Sequence, residues 1–324
     1  MLFWISNRVF ALDGELKEYT IHNNVMGSDF YVTITHSDSD KADKVLSNSM
    51  TIAKNIEKQI SSWIDSSETS QINLNAGIQP VKVSIELFQL IKRSLYLSKI
   101  SNGLFDITYA SLDNYWYFNK KMDHFPTAEE VKHAQELIDY KKVIINDNDT
   151  TVFLTDDGMR IGFGAIGKGY AANKMKEYLV TQNVFGGIVN AGGDISAWGK
   201  NQLNQYWTIA IANPENKNET LAYLEIKNES IVTSGNYERF IMHEGEKYSH
   251  IINPITGYPA KGIQSVTVLC PDAELGDALA TAVFIMSANE GIKFIDGLKN
   301  VEAIIVDDSN QIFTTEKINL IHEE

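Results

Sequence analysis

The chain has 324 residues, 44% of them hydrophobic, and no apolar run as long as a spanning helix, so a large buried core is expected rather than disorder or membrane insertion. A formal net charge of -14 excludes the electrostatic footprint of a nucleic-acid or anionic-lipid binder. Cys270 is the only cysteine, which removes internal disulfides and cysteine-based zinc clusters.

Residues 1–11 carry Leu2, Phe3, Trp4 and Ile5, then Val9-Phe10-Ala11, with Arg8 among the apolar residues. They read as an N-terminal segment or the remnant of an export signal, with residues 1–22 an extension ahead of a single domain over 23–324. Val25-Met26-Gly27-Ser28 leads into a strand whose inward side chains are Phe30, Val32 and Ile34. Apolar residues at helical spacing (Ala42, Val45, Leu46, Ala53, Ile56, Ile60, Trp63) predict a long helix over 40–63, with Ser39 as a cap. Residues 65–75 form a polar loop or short helix, and a second helix is expected over 84–101, stopped by Asn102-Gly103.

Asp106 and Thr108 alternate with apolar neighbours and share one face of an extended stretch, as ligand contacts or as solvated turn residues. Thr127 and Glu130 make a capping box for another helix. Strands are expected at 142–146, 151–155 and 159–162, leading into Gly162-Phe163-Gly164-Ala165-Ile166-Gly167-Lys168-Gly169 and a helix to about Gln182. There the backbone can approach a ligand, the helix start favours an anion and Lys168 adds a charge, although the pattern is neither a Walker A loop nor a dinucleotide fingerprint.

Val189-Asn190-Ala191-Gly192-Gly193-Asp194 reads as a strand running into a diglycine turn, either a plain hairpin or a second wall of a shared cleft. Strands follow at 207–212, 221–226, 231–234, 237–242 and 265–270. His250 precedes a stiff turn built on Pro254 and Gly257, as a structural histidine or a proton acceptor. Gly276-Asp277-Ala278-Leu279-Ala280-Thr281 reads as the start of a helix over 277–286. The four-residue spacing puts the Asp277 carboxylate and the Thr281 hydroxyl on one face, where they serve a metal or merely the helix's own first turn. A further helix near 289–298 and strands at 303–306 and 311–314 finish an irregular interleaving of strands and helices, which reads as a single α+β unit.

Taken in order, Met26-Gly27-Ser28, Ser67-Glu68 to Asn73, Gly103 to Thr108, Gly164 to Gly169, Val189 to Asp194, Ser234-Gly235, His250 to Gly257 and Asp277 to Thr281 resemble the ApbE family of FAD:protein FMN transferases. The resemblance implies a T-fold-related mixed architecture, with antiparallel sheets, packed helices and FAD in a central cleft. It also implies transfer of the FMN half of FAD to a threonine or serine of an acceptor flavoprotein, releasing AMP. A FAD pyrophosphatase and a flavin-binding protein without turnover are the alternatives.

By the same resemblance Asp277, Thr281 and a carbonyl at Ala165 are magnesium ligands, with Asp277 catalytic, and His250 is the catalytic proton acceptor. Met26, Asp106, Thr108, Lys168, Gly193, Asp194, Ser234 and His250 are expected to hold the flavin, ribose or phosphates. An extracytoplasmic or periplasmic location is implied, with membrane association through the acceptor or a lipid anchor. Three residues depart from the family pattern: Gly162 and Asn253, each where an acid is usual, and Asn173 where aspartate is frequent.

Overall fold

The computed structural model describes residues 15–113, 115–118, 122, 124–216 and 219–318; the segment 1–11, with its export-signal reading, lies outside them. Strands β1 (Lys17–Val25) and β2 (Ser28–His36) form a hairpin. Met26 and Gly27 both adopt positive φ, 55° and 66°, the backbone that a two-residue turn between twisted strands requires. β1 therefore starts inside the stretch read as an extension.

Helix α1 (Ser39–Ile60) buries Ala42, Leu46, Ala53, Ile56 and Ile60, and its cap is Asp38, which accepts from the Lys41 amide, rather than Ser39. Trp63 lies beyond its end, 64% exposed. Then come α2 (Glu68–Leu74, capped by Ser67), β3 (Val81–Lys82) and α3 (Ile85–Ile100), which stops at Asn102 and Gly103, both left-handed. Helix α4 (Ala128–Gln135) carries the expected capping box, and in a three-stranded sheet β5 (Thr151–Leu154) pairs with both β3 and β4 (Val143–Asn146).

The strand expected at 159–162 does not form. Side chains and a turn take the place of a neighbouring strand. The Asn73 carboxamide bonds both the amide and the carbonyl of Ile161, the Ser111 hydroxyl accepts from the Arg160 amide, and the Ile107 carbonyl accepts from Gly162.

Helix α5 (Gly167–Thr181) is followed by the hairpin β6 (Gly186–Ala191) and β7 (Asp194–Trp198), then by β8 (Trp207–Ala212), β9 (Thr220–Ile226) and β10 (Ser230–Gly235). The strand expected at 237–242 is β11 (Phe240–His243) only; Tyr237, Glu238 and Arg239 form the turn before it, and β12 (Glu246–Ser249) completes the hairpin. The chain ends with β13 (Ile263–Cys270), α6 (Ala273–Ile285), α7 (Ala288–Asp296), β14 (Glu302–Asp307) and β15 (Ile312–Thr314). α6 starts one turn earlier than expected because Asp272 caps it, accepting from the Leu275 amide, so Asp277 sits in the second turn.

Eight strands make one sheet, in the order β1-β2-β6-β7-β10-β13-β14-β15, every neighbouring pair antiparallel. Alternation divides its side chains between two layers. Val232, Val266, Val268, Ala303 and Ile305 face the main core under α1, α5 and α6. Ile231 and Ile304 face the opposite layer, where β8 and β9 supply Trp207, Ile209, Ile211 and Leu224. This is the α+β arrangement expected from the sequence. A third cluster around Leu112, Trp116, Val131 and Ile252 holds the β11–β12 hairpin through Ile241.

Candidate functional site

Helices α5 and α6 meet through a glycine. A Cβ at Gly169 would overlap the Ala273 carbonyl, so only glycine lets the two backbones approach this closely. At that contact the Gly169 amide donates to Asp277 Oδ2 at 3.2 Å. The preceding residue, Lys168, then lies with its Nζ 2.7 Å from Asp194 Oδ2 and 4.0 Å from Asp277 Oδ1.

Asp194 reaches this point from the β6–β7 hairpin, whose Gly192 and Gly193 take φ of 61° and 100°. It is fully buried, and its Oδ1 has no hydrogen-bond partner. Burial and the adjacent Asp277 push the Asp194 carboxyl up, against the pull of Lys168. Burial opposes the charge on Lys168, but Asp194, Asp277 and Glu238 outweigh it and raise its pKa, so the ammonium persists at neutral pH.

These groups adjoin a cleft of about 540 Å³. Met26, Asp106, Ala165, Lys168, Ser234, His250, Asp277 and Thr281, all singled out in the sequence, line it. Gly193, Asp194 and Thr108 do not. Asp194 lies behind Lys168, and the Gly193 amide donates inward to Asn190 Oδ1. Asp106 and Thr108 do not share an extended face: Asp106 caps the 3-10 turn Ile107–Leu112. Its Oδ1 accepts from the amide and hydroxyl of Thr108, and its Oδ2 from the Tyr140 amide. The carboxylate on the cleft wall is therefore engaged in shaping the turn.

His250 continues the β11–β12 pairing. Its amide donates to the Arg239 carbonyl at 3.0 Å, and its Nδ1 lies 3.1 Å from the same oxygen. A carbonyl only accepts, so Nδ1 carries the hydrogen and Nε2 keeps its lone pair. Burial lowers the His250 pKa to about 4, which keeps the imidazole neutral. Met26 is fixed by its amide donating to Glu57 Oε1 at 2.7 Å, and Arg239 donates to the neighbouring Gly27 carbonyl at 2.8 Å.

Asp277, Thr281 and Ala165 all line the cleft, and a carboxylate, a hydroxyl and a backbone carbonyl are the hard-oxygen donors that suit magnesium. The two asparagines that depart from the family pattern have local tasks. Asn173 Oδ1 accepts from the Ala273 amide at the start of α6, and Asn253 Oδ1 accepts from Ile255 within its turn, a bond a carboxylate would make equally well.

Several cleft residues escaped the sequence reading: Glu57, Tyr109, Asp113, Trp116, Glu238 and Arg239. Asp113 is the most informative of them, because burial raises its pKa to about 7 against the opposing charge of Arg160. Its spacing from Tyr109, four residues on, was the available signal. Glu238 and Arg239 gave none, since a strand was expected there.

The model of the ApbE family matches residues 26–305. A FAD:protein FMN transferase from Klebsiella pneumoniae (strain 342) is 29% identical over 298 residues, covering 91% of this chain and 91% of its own. One from Buchnera aphidicola subsp. Baizongia pistaciae is 31% identical over 277 residues, covering 81% of each. The crystal structure of the ApbE protein of Thermotoga maritima superposes with a TM-score of 0.86 at 28% identity, covering 93% of this chain and 97% of that one. With six of the eight ordered motifs contributing to one cleft, the chain belongs to the ApbE family.

Proposed function

We infer that this chain is a FAD:protein FMN transferase, the activity for which its curated relatives are named. The observation that carries the reading is the meeting of Lys168, Asp277 and His250 on one cleft in an ApbE chain. Lys168, held by Asp194 and close to Asp277, meets the pyrophosphate of FAD with a persistent positive charge inside an acidic protein. Ala165, Asp277 and Thr281 would hold a magnesium ion, which neutralises pyrophosphate charge and stabilises the departing AMP.

His250 takes the proton of the acceptor hydroxyl at Nε2 while the Arg239 carbonyl fixes the ring. The hydroxyl oxygen bonds to the phosphorus of the FMN half, the bond from that phosphorus to the bridging oxygen breaks, and AMP leaves with that oxygen. Met26 packs on the flavin, and Ser234 bonds its polar groups. The acceptor is a flavoprotein subunit presenting a threonine or serine, of the extracytoplasmic or membrane redox class that the family resemblance implies.

Incubation with FAD and magnesium, with and without such an acceptor, tests the reading through the products. AMP formed in step with FMN-modified acceptor supports it. Free FMN released at the same rate whether or not acceptor is present replaces it with a pyrophosphatase.

A further inference from the structure

Tyr109 stands over the glycine turn that precedes α5. An ideal Cβ at Gly164 would lie 2.5 Å from its hydroxyl oxygen, and one at Gly162 would lie 3.6 Å from it. The phenol thus occupies the space into which a side chain at 164 would project, whereas a Cβ at 162 would meet Ala110 first, at 3.0 Å. Tyr109 carries a phenolic O–H that can donate one hydrogen bond.

Among the described residues no acceptor meets that hydrogen, although the charges of Asp113 and Asp277 both bear on the ring. A phenol is protonated at neutral pH, so the hydroxyl is a donor there. Tyr109 lines the cleft together with Gly164, Ala165 and Asp277.

We propose that Tyr109 is a substrate-positioning residue whose hydroxyl donates a hydrogen bond to a pyrophosphate oxygen of FAD, in the space left by glycine at position 164. The inference rests on the FAD reading. A neutral donor meets phosphate oxygens without adding charge to the cleft. It also presents the oxygen-bound hydrogen that phosphate oxygens accept.

The test compares FAD with riboflavin, which shares the ring and ribityl chain but lacks phosphate, by quenching of flavin fluorescence in EDTA. Tyr109→Phe is expected to weaken FAD binding about tenfold, the loss of one hydrogen bond to a charged group, while riboflavin affinity stays unchanged. Equal weakening of both flavins, or no change for either, overturns the contact. Wild-type protein that binds neither flavin overturns the FAD reading and the contact with it.

A second pair of variants checks the placement without relying on binding. Gly164→Ala alone is expected to lower the melting temperature through its clash with the hydroxyl. Adding Tyr109→Phe should restore it, because the next ring atom lies 3.7 Å from that Cβ. No restoration in the double variant contradicts the geometry.

Discussion

Gly169 and Asp277, 108 residues apart in the chain, are joined by an amide-to-carboxylate hydrogen bond across the closest approach of α5 and α6. That bond sets the rotamer of Asp277, and the same helix contact delivers Lys168 to it. Packing of two helices therefore builds the charged end of the cleft.

Gly169→Ala tests this coupling. A methyl group there collides with the Ala273 backbone, which cannot give way as a flexible side chain would. The expected loss is about 2–3 kcal/mol in urea unfolding, as for overpacked cores, with transfer activity reduced further because the helices carrying Lys168 and Asp277 separate. Unchanged stability contradicts the contact.

Asp277→Asn keeps the size of the side chain and an acceptor for the Gly169 amide but removes the charge. Magnesium-dependent transfer should fall by about 100-fold or more, in line with loss of a group that stabilises transition-state charge, with the melting curve little altered. Transfer at the normal rate would sink the proposed metal role.

His250 gives a pH signature. Its pKa is lowered to about 4 by burial, so the proton-accepting form is present above that value and is lost as pH falls through it. The rate should show no His-dependent decline between pH 7 and pH 5, whereas an acid limb centred near the ordinary histidine value contradicts the buried setting. The same shift makes folding stability fall as pH drops below the unfolded-state value of about 6.5, and His250→Ala should remove that part of the pH dependence while still binding FAD.

Arg93 and Glu274 tie α3 to the first turn of α6 through two hydrogen bonds, Nε to Oε1 at 2.5 Å and a second at 2.9 Å. Burial raises the Glu274 carboxyl, and Arg93 works against that rise. Arg93→Ala should cost about 1–2 kcal/mol, less than a fully buried pair because the arginine is 44% exposed. Arg93→Ala/Glu274→Gln should recover part of it in the same unfolding measurement.

The sequence made the helices readable because their caps are side chains at fixed offsets, as at Ser84 and Thr127. The four-residue spacing puts Asp277 and Thr281 on one helical face, and both line the cleft, as does Lys168 among its glycines. What periodicity cannot carry is where a backbone finds its partners. Ile161 is bonded by the Asn73 side chain instead of a strand, and Asp106 caps a turn instead of lying in an extended stretch. Arg239 enters the cleft from a turn that the hydrophobic pattern read as strand. Tyr109 had no local signature, since its place follows from glycines more than fifty residues away.

The most direct measurement of the central claim is mass spectrometry of an acceptor flavoprotein after incubation with this protein, FAD and magnesium. The account predicts an acceptor heavier by one FMN less water, the group on a threonine or serine oxygen, with one AMP released per modification. Acceptor that stays unmodified while FAD is converted to free FMN and AMP would contradict it.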